Sequence, residues 1–134
     1  MDKNFDDWNA LKKKTEIKRQ LLDISEREIW WISFGLNVGV EIDGKHQDYE
    51  RPAIIIRKFN QHMVWVLPTT SQAKNQKFHE KFSFGDKIYF AALTQIRTMS
   101  TKRFLRKAGM VPRADFEKIK KRVVEFLYTN EDPH

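Results

Sequence analysis

The chain has 134 residues, 40% of them hydrophobic, with no cysteine and four histidines. That fits one domain with its own core and leaves out disulfide frameworks, thiolate metal sites and zinc spacing. Lys and Arg exceed Asp and Glu by seven, and ten basic residues against Asp115 and Glu117 lie between Arg97 and Arg122, a balance of +8 that leaves −1 for the rest. A clustered cationic field attracts polyanions, nucleic acid foremost, although any single lysine there also reads as part of a solvated helix face. The opening "MDKNFDDWNA" is acidic and polar, and no apolar run approaches ~18 residues, so we expect a soluble cytoplasmic protein without signal peptide or membrane span.

In chain order, the first expected element is a helix from Asn4 to Ile24. Asn4 can cap it with Asp7 at the third helical position, and Phe5, Trp8, Leu11, Ile17, Leu21 and Ile24 fall mostly on one side. That side is too apolar for water, so the helix is expected to pack on the rest of the chain or on a partner subunit. From Glu28 to about Ser100 the period becomes that of strands: "EIWWISF", "AIIIRKF", "MVWVL", "FHEKFSF" and "IYFAAL", separated by turn material such as "GLNVG", "DGKHQDYE" and "FGD". Five short strands without room for crossover helices imply a small, curved antiparallel sheet or barrel. The last third returns to helix, first a short one over Lys102 to Ala108 that Gly109 can end, then one from about Pro112 to Tyr128. Its apolar stripe is Phe116, Ile119, Val123, Phe126 and Leu127, with Lys118, Lys120, Lys121 and Arg122 largely outside.

Adjacent Trp30 and Trp31 must face opposite sides of their strand, one toward the core and one toward an interface or helix. Trp65, Phe82, Phe84 and Phe90 can stack on unpaired bases, but most of this group is assigned to the core and a dimer contact.

The order "EIWWISFGLNVGVE", "RPAIII", "VLPTTSQ", "LTQIRTM", then a basic segment and a helix, resembles the PemK/MazF family of toxins from bacterial toxin–antitoxin systems. The resemblance spans about Arg27 to Leu127. It implies a mainly β fold, an SH3-like small β-barrel with appended helices, divided here into an N-terminal helical extension (1–26), the barrel with its C-terminal helix (27–128) and a polar tail (129–134). It further implies a homodimer that cuts single-stranded RNA at short sequences without metal or other cofactor and is silenced by an antitoxin protein. The loop between Ile42 and Glu50 is longer than in compact members and resembles a long-loop branch.

Cutting RNA without metal uses the neighbouring 2′-OH as nucleophile, so the protein must orient that group, stabilise charge growing on the phosphate and move two protons. Arg51, with its backbone restricted by the adjacent Pro52 and anchored by the apolar strand that follows, suits the second task because its guanidinium is planar and stays charged. The plainer reading is an arginine lying along a strand end or pairing with Glu50. The resemblance places Thr70 at the scissile phosphate with Ser71 beside it; local backbone bonding is the other use of such hydroxyls. It makes Glu41 either the general base or the group that holds Arg51. Gln95 and Arg97 match the family's "Q-x-R-T" pattern, an amide for base edges and an arginine for phosphate; an amide at a strand end equally often just pairs with backbone. Val40, Ala92 and Thr94 stand where other members carry acid–base or basic side chains, so the proton-transfer set is incomplete. Lys45 and His46, in the long loop beside Arg51, are RNA-binding candidates, and His46 could supply the missing transfer. The alternative is a non-catalytic RNA- or protein-binding module on the same barrel.

Overall fold

The structure is a computed structural model and describes residues 3–18, 22–45, 48–72 and 75–128. Helix α1 (Phe5–Glu16) begins as its sequence predicts: the Asn4 side chain accepts from the Asp7 N–H at 3.1 Å. Asp6 and Asp7 in the first turn and Lys13 and Lys14 in the last both complement the helix dipole. The helix is shorter than expected, because only Trp8 of its apolar side is buried, while Phe5 and Ile17 are exposed. A helix this short depends on packing, and past Glu16 the apolar residues serve the sheet instead. Leu22 and Ile24, outside any helix, join the core beneath it. Leu21, also expected on the helix, lies outside the described residues.

The five predicted strands appear as β1 (Glu28–Ser33), β2 (Glu50–Lys58), β3 (Met63–Thr70), β4 (His79–Phe84) and β5 (Lys87–Ala92). Two more follow, β6 (Arg97–Ser100) and β7 (Phe104–Met110), before helix α2 (Arg113–Tyr128). The predicted helix over Lys102 to Ala108 is thus a single 3-10 turn, Thr101–Arg103, and then a strand. Pairing with β1 and burial of Phe104, whose ring centroid lies 5.5 Å from that of Trp30, outweigh the helical preference of the Lys, Arg and Leu residues there.

All seven strands pair antiparallel, in the order β4-β5-β3-β2-β1-β7, with β6 on β3. Gly109, expected to end a helix, instead stands opposite Ile29, where an added Cβ would meet the Phe84 ring at 3.0 Å. That contact joins β7 to β4, the two ends of the ladder. The sheet is therefore barrel-like, closed at this point by packing rather than by described backbone hydrogen bonds.

Alternation along the central strands builds two cores. Trp30, Ile32, Phe34, Ala53, Ile55, Val64 and Val66 enter one; Ile29, Ile54, Leu67 and the α2 residues Phe116 and Ile119 enter the other. Trp30 and Trp31 divide as period two requires, with Trp30 buried and Trp31 half-buried beneath the Arg106 guanidinium at 4.8 Å. No helix among the described residues is long and apolar enough to cross a membrane.

Candidate active site

Arg51 lies inside β2, opposite Ile32 of β1, on the face of Ala53 and Ile55. Glu50, its expected partner under the plainer reading, is engaged by Arg106, whose terminal nitrogens reach it at 2.9 and 3.2 Å. Main chain holds Arg51 instead: Nε donates to the Asp43 carbonyl at 2.8 Å and Nη1 to the Thr69 carbonyl at 3.0 Å. Burial lowers the Arg51 pKa and nearby Asp43 partly restores it, so the cation is half-desolvated yet remains charged.

Thr70 ends β3. The β2–β3 register pairs Ala53 with Pro68, and continuing it two residues brings Thr70 level with Arg51 on the same face. The Thr69 hydroxyl points the other way and donates to Pro52 O at 2.8 Å. The Thr70 hydroxyl closes a local turn, donating to Gln72 O at 3.2 Å and accepting from Gln72 N at 3.3 Å. Ser71 is exposed at the exit of the strand.

The other sequence candidates gather around the segment between β1 and β2. Gln95 holds it with both ends of its amide, Oε1 accepting from Ile42 N and Nε2 donating to Val40 O, each at 3.1 Å. Glu41 between them is exposed and accepts from Val38 N at 3.0 Å. Its charge favours Arg97, whose pKa is lowered by burial and partly restored by Glu41. Glu41 makes no described hydrogen bond to Arg51; of its two expected parts, holding that arginine falls to the Asp43 and Thr69 carbonyls. Arg97 lies over the Phe34 ring at 5.6 Å. Lys45 is exposed, its backbone exchanging two 2.7 Å hydrogen bonds with Glu50. His46 lies outside the described residues.

Three neighbours were not singled out from sequence. Asp43 takes the Asn37 N–H on its carboxylate at 2.6 Å while its carbonyl holds Arg51. Arg103 donates to Ser33 O at 3.3 Å, and its pKa is lowered by burial and then by Arg97, a like charge nearby. Trp8 of α1 covers Arg103, ring centroid to guanidinium 5.6 Å. Only the general basic count between Arg97 and Arg122 pointed to Arg103, and only the apolar side of the first helix to Trp8; nothing local pointed to Asp43.

The arrangement offers three half-buried arginines around one loop, with a threonine level with the first. Residues 25–127 match the family model described as PemK-like, MazF-like toxin of type II toxin–antitoxin system. Among solved structures, a MazF from Deinococcus radiodurans is similar at 15% identity and TM-score 0.64, over 81% of this chain and 99% of that one. An endoribonuclease from a mycobacterial species, in complex with its cognate antitoxin, is similar at 12% identity and TM-score 0.60, over 82% and 100%. The Mycobacterium tuberculosis toxin MazF-mt6 is similar at 13% identity and TM-score 0.54, over 76% and 96%. At these identities the likeness establishes the fold. No relative matches among curated proteins.

Proposed function

The chain belongs to the PemK-like, MazF-like family of type II toxins, and from that premise we propose that it is a toxin acting as a metal-independent, sequence-specific endoribonuclease on single-stranded RNA. The observation that carries this reading is the state of Arg51. Of five guanidinium N–H donors, two are fixed on main-chain carbonyls, which leaves three, held in orientation, for phosphate oxygens. Preorganised donors in a partly desolvated site stabilise the charge that builds as a 2′-OH attacks the adjacent phosphate. Thr70, level with Arg51, exchanges its turn bonds for contact with the same phosphate. Gln95 sets the loop that carries Glu41, and Arg97 with Ser71 and Lys45 supplies further contacts to the strand. Proton transfer is assigned to Glu41 and His46.

The competing reading, a non-catalytic RNA- or protein-binding module, draws on the Thr70 hydroxyl being engaged in its own turn and on Glu41 standing apart from Arg51. Incubating the protein with mixed-sequence single-stranded RNA in EDTA and mapping new 5′ ends decides between them. Cuts at one short motif support the nuclease; retained binding without cuts supports the module.

An antitoxin protein and a second copy of the chain complete the proposed partners. The second copy is assigned to an apolar groove of about 590 Å³ between β6 and the end of α2, lined by Trp65, Leu93, Ile96, Val123, Phe126 and Leu127.

A further inference from the structure

Helix α1 crosses the site rather than standing beside it. At its start Lys3 pairs with the Asp43 carboxylate at 2.8 Å, on the residue whose carbonyl holds Arg51. At its end Glu16 O accepts from Lys102 Nζ at 2.8 Å, in the turn next to Arg103. Between these ends one side chain, Trp8, anchors the helix.

The Trp8 ring sits in a slot shaped for a flat aromatic group. Its floor is Gly35, at φ +80°, where an added Cβ would fall 2.1 Å from ring atom Cζ2, so only glycine leaves the space. Tyr49 meets the ring edge-on, centroids 5.4 Å apart at 61°. The Arg103 guanidinium lies 5.6 Å from the ring centroid. Tyr49 itself is held at φ 51°, a left-handed conformation costing a non-glycine residue roughly 1–2 kcal/mol, and its carbonyl accepts from both Phe34 N and Gly35 N. Arg103 has no described carboxylate partner and faces Arg97 as a like charge. A planar ring between a guanidinium and a tyrosine, with a second arginine alongside, is the arrangement that receives a base and its phosphates.

We propose that α1 is a detachable cover whose Trp8 occupies a slot for an unpaired nucleobase, so that single-stranded RNA engages the arginines only when α1 lifts. The proposal deepens the ribonuclease reading and rests on it for the identity of the ligand. Three properties suit a cover: α1 has a single buried anchor, Phe5 in it and Ile17 just past it are exposed, and each of its two end contacts rests on one half-buried lysine. An open state populated at about 0.1–10% multiplies the apparent affinity by that fraction, weakening it about tenfold to a thousandfold.

The test compares the full chain with Trp8→Ala, which empties the slot, and with Lys3→Glu, which turns the attraction to Asp43 into repulsion at a half-buried position outside both cores. Binding is read by fluorescence anisotropy on a labelled single-stranded RNA of mixed sequence with 2′-O-methyl riboses, which lacks the nucleophile and cannot be cut. Cleavage is read on the unmodified RNA. Trp8→Ala is expected to bind about tenfold tighter or more and Lys3→Glu to shift the same way by less, with cleavage rising in parallel. Equal binding by all three overturns the cover and leaves the nuclease intact if unmodified RNA is still cut. Weaker binding by the variants also overturns it, by making α1 an arm that adds Lys12 and Lys13 to the basic track. Tighter binding without cleavage by any chain supports the cover and removes the nuclease; no binding by any chain removes both. If Trp8→Ala fails to fold, an unchanged affinity of Lys3→Glu is enough to overturn the proposal.

Discussion

The Nη1 of Arg51 donates to the carbonyl oxygen of Thr69 at 3.0 Å, so the arginine is oriented by the backbone of the residue before Thr70. This ties the direction of the guanidinium to strand pairing rather than to another side chain. Lysine keeps the charge but has neither the Nε–H nor the planar fork. Arg51→Lys is therefore expected to lose cleavage almost as fully as Arg51→Ala, each by a factor on the order of 10² or more, with circular dichroism unchanged. Near-normal turnover by Arg51→Lys would mean that charge alone suffices and that the held geometry is not used.

The neighbouring threonines give opposite expectations. The Thr69 hydroxyl is buried against Pro52 O, and Thr69→Val leaves that carbonyl without its donor, a loss of roughly 1–3 kcal/mol, while the backbone that holds Arg51 persists. Thr70→Val removes two exposed turn hydrogen bonds and, with them, the hydroxyl that we propose meets the phosphate. Melting temperature should fall for Thr69→Val with cleavage retained below the transition. For Thr70→Val the melting temperature should hold while cleavage falls. The reverse pattern would exchange the roles of the two residues.

Much of the fold was legible where local chemistry decides it. Asn4 with Asp7 and the alternation of Trp30 and Trp31 each point to a structure that needs no distant partner to be read. The rest depends on distant partners. "FLRKAGM" carries helical propensity and becomes β7 only because β1, more than seventy residues earlier in the chain, offers an open edge. The groups that hold Arg51 are carbonyls, which every residue has, so no residue type announces them. Gln95 suits a base edge or a backbone partner equally from sequence, and its amide is on the backbone of Val40 and Ile42. A sequence shows what an amide can bond, while the loop that reaches it is set by the fold.

That amide leads to a separable expectation. With both ends on one loop, Gln95 restrains Val40 to Ile42 relative to the barrel, and Gln95→Ala frees them. Hydrogen exchange at the Ile42 amide should speed up by about fivefold or more, as expected for loss of a hydrogen bond worth ~1 kcal/mol. Exchange in the β2–β3 ladder should stay unchanged. If Ile42 exchanges at the same rate, the loop is held elsewhere, with Asn37 and Asp43 the next restraints.

Trp65 is 43% exposed and Leu127 79% exposed, both lining the apolar groove at the end of α2. Charge placed there opposes burial against a second copy without disturbing either core. Light scattering should give a dimer mass for the parent chain and a monomer mass for Trp65→Glu/Leu127→Glu, because loss of a central aromatic contact weakens an interface by about 2 kcal/mol or more. A monomer mass for the parent at micromolar concentration, or a dimer mass for the double variant, would move the interface away from this groove.

The final expectation concerns acid. Burial by itself would raise the pKa of the Glu28 carboxyl, but hydrogen bonds from Lys107, Trp30 and Ser25, together with the charge of Lys107, leave it lowered. The bonds are short: Lys107 Nζ at 2.8 Å, Ser25 N at 2.9 Å and Trp30 Nε1 at 3.0 Å. A group with a depressed folded pKa adds stability that is fully present above its unfolded value, about 4.3 for glutamate, and that disappears as the pH falls through the lower folded value. The carboxylate ties β7 to the entry of β1, so the parent chain should melt progressively lower as the pH drops from about 5 toward 3. Glu28→Gln keeps the shape but loses charge-assisted bonds, lowering stability near neutrality by roughly 1–3 kcal/mol, and its decline over the same acid range should be shallower. Parallel curves for parent and variant would show that other carboxylates carry the acid sensitivity and that the Lys107 pair adds nothing measurable.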